Sequence, residues 1–236
     1  MEGEGEDSVR AFLLQSCSTL VFVMAAANLL FAVLLLRQFA RKRLPVLLCM
    51  GLIAVGLCYD ALVISLGSVL EGPALAALSQ LRFVSHGGLI PLLFPICAYA
   101  LRLNRPVVTG VWIFTGLVIA AGVAEGFATV LELSEIGGIT RYVSAETTPA
   151  WAETVSSLLS YGTVVLLIVC GVIVWIRDKT PHLFLSGFLM FAFSALGPAT
   201  GNFDLIFFIS MIGEVFMVLF FYLYARGLEP GRAQAA

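Results

Sequence analysis

Seven apolar stretches, near residues 11–36, 45–69, 78–101, 107–125, 151–176, 182–200 and 203–225, fill most of this 236-residue chain. Each reaches the roughly 20 residues that a helix needs to cross the hydrocarbon core of a bilayer. In that medium no water satisfies backbone N–H and C=O groups, so such stretches have to fold as helices. Composition agrees: 60% of residues are hydrophobic and 12% charged, with a mean hydropathy of +1.02, against roughly 25% charged residues in a soluble domain. The predicted fold class is all-α, a polytopic membrane protein forming a single seven-helix transmembrane domain over residues 1–236. The sixth and seventh stretches are separated only by the turn-rich GPATGN at 197–202. A six-span alternative would leave one half-buried re-entrant segment; seven is the preferred reading.

Orientation follows from the thirteen basic residues. Arg37, Arg41, Lys42, Arg43, Arg102, Arg105, Arg177, Lys179, Arg226 and Arg232 fall in connections on one side. Arg10 and Arg141 fall on the other, and Arg82 lies inside a span. The positive-inside rule then predicts the amino terminus outside and the carboxyl terminus in the cytoplasm, in the cell's inner (cytoplasmic) membrane. The acidic tail 1–10, MEGEGEDSVR, lacks the basic start of a cleaved signal peptide, so the first stretch is read as a retained helix. The outer connection 126–150 is long enough for a short hairpin or cap, and 227–236 is a cytoplasmic tail. A net charge of −2 provides no basic face for a nucleic-acid partner; the lipid bilayer is the expected one. Cys17, Cys49, Cys58, Cys97 and Cys170 sit in apolar runs at unrelated spacings, as small buried hydrophobes rather than a disulfide or zinc framework. Neither a metal nor a cofactor is expected.

Charge inside the spans then becomes the informative feature. Asp60 lies in the second stretch, Arg82 in the third and Glu214 in the seventh, with His86 one turn beyond Arg82. A charge at the bilayer centre costs about 2.5–3.5 kcal/mol on insertion scales, so it needs a partner or a cavity. At about 1.5 Å rise per residue, all four groups can meet in the outer half of one bundle, with Glu214 the deepest. Blander readings compete. Arg82 could snorkel to the outer headgroups, His86 could bond a neighbouring carbonyl, and an acid could merely pair with Arg82. Tyr59, Asn28, Gln15 and Tyr161 fit interhelical hydrogen-bonding roles. A cluster serving function is the reading that accounts for all four.

The stretch RFVSHGGLIPLLF resembles the third helix of microbial (type 1) rhodopsins, through Arg82, Phe83, Pro91, Leu92 and Leu93. Tyr59 in CYDALVISLG and the segment FAFSALGP are similar to further family features, and Glu214 falls near the family's seventh-helix acid. The resemblance implies a rhodopsin-like bundle around an apolar cavity. It does not extend to the retinal chemistry. Val218 stands where the family's retinal lysine belongs, and the only lysines are Lys42 and Lys179. Ser85 and Ile96 replace the proton-acceptor and proton-donor acids.

A second resemblance is to the integral-membrane terpene cyclases of fungal meroterpenoid and indole-diterpene pathways. It rests on Tyr59-Asp60, and on Glu214 followed by Phe220, Phe221, Tyr222, Tyr224 and Arg226. The two acid types are exchanged relative to that family, and Arg82 and His86 have no counterpart in it. It implies an enzyme that starts cyclisation of an isoprenoid-like lipid by protonation, with Glu214 as acid, Asp60 as its base or orienting partner, and His86 or Arg82 positioning them. A carboxyl raised by desolvation suits that role, and aromatic faces would stabilise the cation. Tyr59, Phe83, Ser85, Tyr161, Phe193 and Asn202 are the candidate substrate-binding residues. The enzyme is the leading expectation. The alternative is a lysine-less, opsin-like protein that binds an apolar ligand, senses or relays protons without retinal. A proton-coupled transporter is disfavoured, since paired broken helices and internal symmetry are not evident.

One prediction is independent of that choice. Purified protein given all-trans retinal should show no red-shifted Schiff-base absorption and no adduct trapped by borohydride within the bundle.

Overall fold

The structure is a computed structural model that describes residues 16–136, 138–200 and 203–229, with side chains over the same residues except 197–207. Its helices are α1 (Cys17–Lys42), α2 (Pro45–Leu66), α3 (Gly72–Leu89), α4 (Leu93–Ala100), α5 (Arg105–Ala128), α6 (Ala150–Ser157), α7 (Thr163–Asp178), α8 (His182–Thr200) and α9 (Phe203–Arg226). A 3-10 turn at Ile90–Leu92 joins α3 to α4, and a π turn at Leu158–Gly162 joins α6 to α7, so each pair runs as one span. Among the described residues, six helical spans are long and apolar enough to cross a membrane, and the described part of α8, His182–Leu196, is a shorter apolar helix.

The boundaries differ from the hydropathy reading at the end of the first span and at the start of the third. α1 continues through Arg37–Lys42 and ends where Arg43 takes a left-handed φ of 55°. α3 starts at Gly72, since Pro73 fits the first helical turn, where no N–H partner is needed. Pro91 removes one helical donor, and the chain tightens to a 3-10 turn there.

The spans close a ring in which α1 packs on α2 and α9, α9 on α8, and α8 on α7. α3 and α4 take the inner position, against α2, α5 and α7. Exposed Phe22, Leu29, Ile113, Leu117, Val169 and Ile176 cover the outside, as hydrocarbon rather than water requires. Helix-end carbonyls at the basic end are capped by cations. Lys42 Nζ donates to Ala225 O and Leu228 O at 3.0 and 2.6 Å, and Arg177 donates to Ala100 O and Leu101 O at 2.7 and 3.2 Å.

The other end is closed by a hairpin of β1 (Leu131–Ile136) and β2 (Ile139–Ser144), within the 126–150 connection. Gly138, at a φ of 72°, provides its tight turn. Thr140 N donates to Gly67 O at 3.0 Å, fixing β2 on the end of α2. Ile139 is fully buried and packs with Cys17, Val21, Ala61, Ile64 and Met211, so the hairpin plugs the gap among α1, α2 and α9.

α3 and α5 cross closely at two glycines. A Cβ on Gly87 would lie 2.2 Å from Gly122 O, and one on Gly122 would lie 2.3 Å from Gly87 O. Lacking hydrophobic drive between helices in lipid, such close backbone approach is what packs them. Gly87→Ala should therefore destabilise the detergent-solubilised protein by about 1–3 kcal/mol, because backbone cannot give way. Gly116→Ala, where a Cβ meets nothing within 4 Å, should leave the melting temperature unchanged or raise it.

Candidate functional site

Two interior chambers meet at Glu214. The polar one, about 280 Å³, lies beneath the hairpin and is lined by Asp60 of α2, Arg82, Phe83 and His86 of α3, Arg141 of β2, Ser156 and Ser160 of the fifth span, and Ser210 and Glu214 of α9. The apolar one, about 310 Å³, lies deeper, and Leu57, Ile90, Leu93, Val164, Met190, Phe191 and Met217 form most of its wall. His86, Ser160, Ser210 and Glu214 line both chambers. They form a polar collar between wet-type and oil-type space.

Helical spacing explains the collar. Arg82 and His86, and likewise Ser210 and Glu214, are four apart and therefore share a helix face. The fifth span reaches the collar through its π turn, which presents Ser160 to both chambers and Tyr161 to the apolar one. Such single-turn bulges recur at functional sites.

Arg82 organises the polar chamber. Its Nε lies 3.3 Å from Asp60 Oδ1, with only 10% and 18% of the two side chains exposed. Its Nη2 donates to Tyr142 O of the hairpin at 3.0 Å, and the guanidinium sits 5.0 Å from the centre of the Phe83 ring. Arg82 is thus turned inward and does not snorkel. Its partner is Asp60, and Glu214 faces it across the same chamber. Burial, assisted by the Arg82 charge, lowers the pKa of Arg141 below the ordinary guanidinium value, while the Asp60 carboxylate opposes that shift.

Glu214 is 7% exposed, and its Oε2 is buried with no hydrogen-bond partner among the described residues. A buried carboxyl oxygen left so carries a desolvation cost. It borders both chambers.

The remaining candidates are placed as follows. Phe83 lines the polar chamber and Tyr161 the apolar one. Tyr59 donates to Leu78 O at 3.0 Å, an interhelical bond between α2 and α3. Ser85 donates to Arg82 O at 2.9 Å and lines a small crevice beside Asp60. Phe193 stacks on Phe216, with ring centres 5.4 Å apart, and is not in either chamber wall. Asn202 lies outside the described residues. The sequence reading missed Arg141, Ser160 and Ser210, which carry no positional signal until the spans are assembled. It also missed Glu125, 5% exposed, which accepts from Thr129 Oγ1 at 3.3 Å. Glu125 is the last residue of the fourth apolar stretch, 107–125, and the helix runs on to Ala128, so that acid lies within its final turn.

The aromatic run that follows Glu214 points elsewhere. Phe221 is fully buried in the main core, Phe220 stacks on His182, and Tyr224 and Arg226 line a separate cavity at the basic end.

Fold and site together define a multi-pass helical membrane protein with a two-chambered interior. No protein-family model matches the chain, and a search of curated proteins returns no match.

The Arg82–Asp60 pair has a measurable consequence. Removing one member of a buried pair costs about 3–5 kcal/mol, because the other charge is left uncompensated. Arg82→Ala should lower stability by that order in chemical unfolding, and adding Asp60→Asn should recover much of the loss. Additive effects would contradict the pairing.

Proposed function

We propose that the chain is a seven-helix, opsin-like membrane protein that binds an apolar, isoprenoid-like molecule. The ligand's single hydrogen-bonding end would be directed at Glu214 and His86. In this reading α8 is the sixth crossing, the hairpin and amino terminus lie outside, and the carboxyl terminus lies in the cytoplasm. The observation that carries it is the apolar chamber of about 310 Å³ ending on Glu214, whose Oε2 has no partner among the described residues. A volume near the lower bound for ligand cavities, apolar walls and a few convergent polar groups are what small-molecule recognition requires. A ligand hydroxyl or carbonyl would supply the missing hydrogen bond, and the apolar wall would hold its chain.

Acid-initiated cyclisation is the second reading, and Glu214 is also what favours it. A protonated carboxyl facing an apolar space is placed to donate to an alkene or epoxide. Its weaker side is the wall: among the described residues, Tyr161 and Phe191 are the aromatic ones around the apolar chamber, which gives few ring faces to stabilise a cation. Binding is therefore placed ahead of catalysis.

The test is titration of the detergent-purified protein with farnesol and geranylgeraniol, followed by native mass spectrometry and calorimetry. Binding is expected, and Met190→Trp, which fills the chamber, should abolish it. Glu214→Leu should weaken it about tenfold, the worth of one buried hydrogen bond, while Glu214→Gln should retain most of it. Cyclised product from the corresponding epoxides, lost in Glu214→Gln, would instead establish the enzyme. Neither binding nor turnover would end both readings.

A further inference from the structure

Among the described residues, the wall of the apolar chamber is incomplete on one side. α7 and α8 meet near the basic end, where a Cβ on Gly171 would lie 2.5 Å from Phe184 backbone atoms, and one on Gly187 would lie 3.0 Å from the Ile168 side chain. Toward the hairpin end the fifth span leans away, with α6 packing on α5. Tyr161 of the π turn and Phe191 of α8 both line the chamber, yet they are 63% and 40% exposed. A residue can satisfy both conditions only at a mouth.

The gap lies within two membrane spans, so it opens on hydrocarbon and not on water. The other way in runs through the polar chamber, past Arg82, Asp60 and Arg141. An apolar chain would have to displace solvated charge there, whereas the lateral gap is lined by uncharged residues, among them Tyr161 and Phe191.

We propose that the apolar chamber is loaded sideways from the bilayer, through a portal between the π turn and α8, by a membrane-dissolved long-chain molecule with an uncharged polar end. The portal rests on α8 as a membrane crossing, and the ligand class rests on the binding reading above. The π turn shapes the entrance: it sets Ser160 inward at the collar and Tyr161 at the mouth. Bilayer acyl chains enter the chamber when no ligand is present.

The experiment places a tryptophan inside the chamber. Trp112, Trp151 and Trp175 are replaced by Phe, Ser194→Trp is added, and the protein is reconstituted in phosphatidylcholine with brominated acyl chains. The chamber tryptophan should lose most of its fluorescence, as a Leu158→Trp control on the lipid-facing surface does, while aqueous iodide leaves it unquenched. Quenching by iodide and not by brominated chains would overturn the portal and assign entry to the polar chamber. Leu57→Trp, on α2 in the chamber wall, repeats the measurement should Ser194→Trp fail to fold. Added geranylgeraniol should then restore the fluorescence by displacing the brominated chains. Strong bromine quenching that geranylgeraniol does not relieve would leave the portal in place and overturn the ligand class.

Discussion

Arg82 is the residue on which the hairpin end of the bundle depends. Its charge sits in a medium where an unpaired guanidinium is unfavourable by several kcal/mol, and every nearby element helps to accommodate it. Asp60 brings α2 to α3 through the ion pair, Tyr142 O brings the hairpin down on both, and the Phe83 ring offers its face. One side chain thereby joins two spans and an extramembrane hairpin. Because its partners come from elements far apart in sequence, the chamber beneath the hairpin exists only when all of them are in place.

With Asp60 committed to Arg82, Glu214 is left to face the interior on different terms. It stands at the boundary of two spaces of opposite character, charged above and hydrocarbon-like below. A carboxyl in that position can serve as a donor to something apolar that carries one acceptor, or as a proton source toward a reactive double bond. Among the described residues, Tyr161 and Phe191 are the aromatic ones around the deeper chamber, which favours the first. The location of Tyr224 and Arg226 at the far end of the molecule removes the aromatic run from either role.

Helix packing explains why that deeper space persists. Gly87 and Gly122 pull α3 onto α5, and Gly171 pulls α7 onto α8. These crossings are made at particular depths, so the helices diverge elsewhere. The chamber and its side opening are what that divergence leaves, with the π turn at Leu158–Gly162 directing side chains into it.

Much of the membrane character was legible in the sequence, because hydrocarbon forces any long apolar stretch into a helix whatever its partners. The inward placement of Asp60, Arg82, His86 and Glu214 was legible for a related reason, since charge in lipid must find company. The pairing was not. Depth placed Asp60 nearer Arg82 than Glu214 but left an ion pair of Arg82 with either acid open, and the packing of α2 against α3 made the contact with Asp60. Ser160, Ser210 and Arg141 were invisible for the same reason, and Tyr59 and Phe193 attracted attention while their side chains engage Leu78 and Phe216. Helices that are apolar on all sides carry no facial pattern to separate the surface that meets lipid from the surface that meets a neighbour. Which side chains line the interior, and where its wall stays open, was decided by the glycine crossings, the π turn and the hairpin, through contacts between residues distant in the chain.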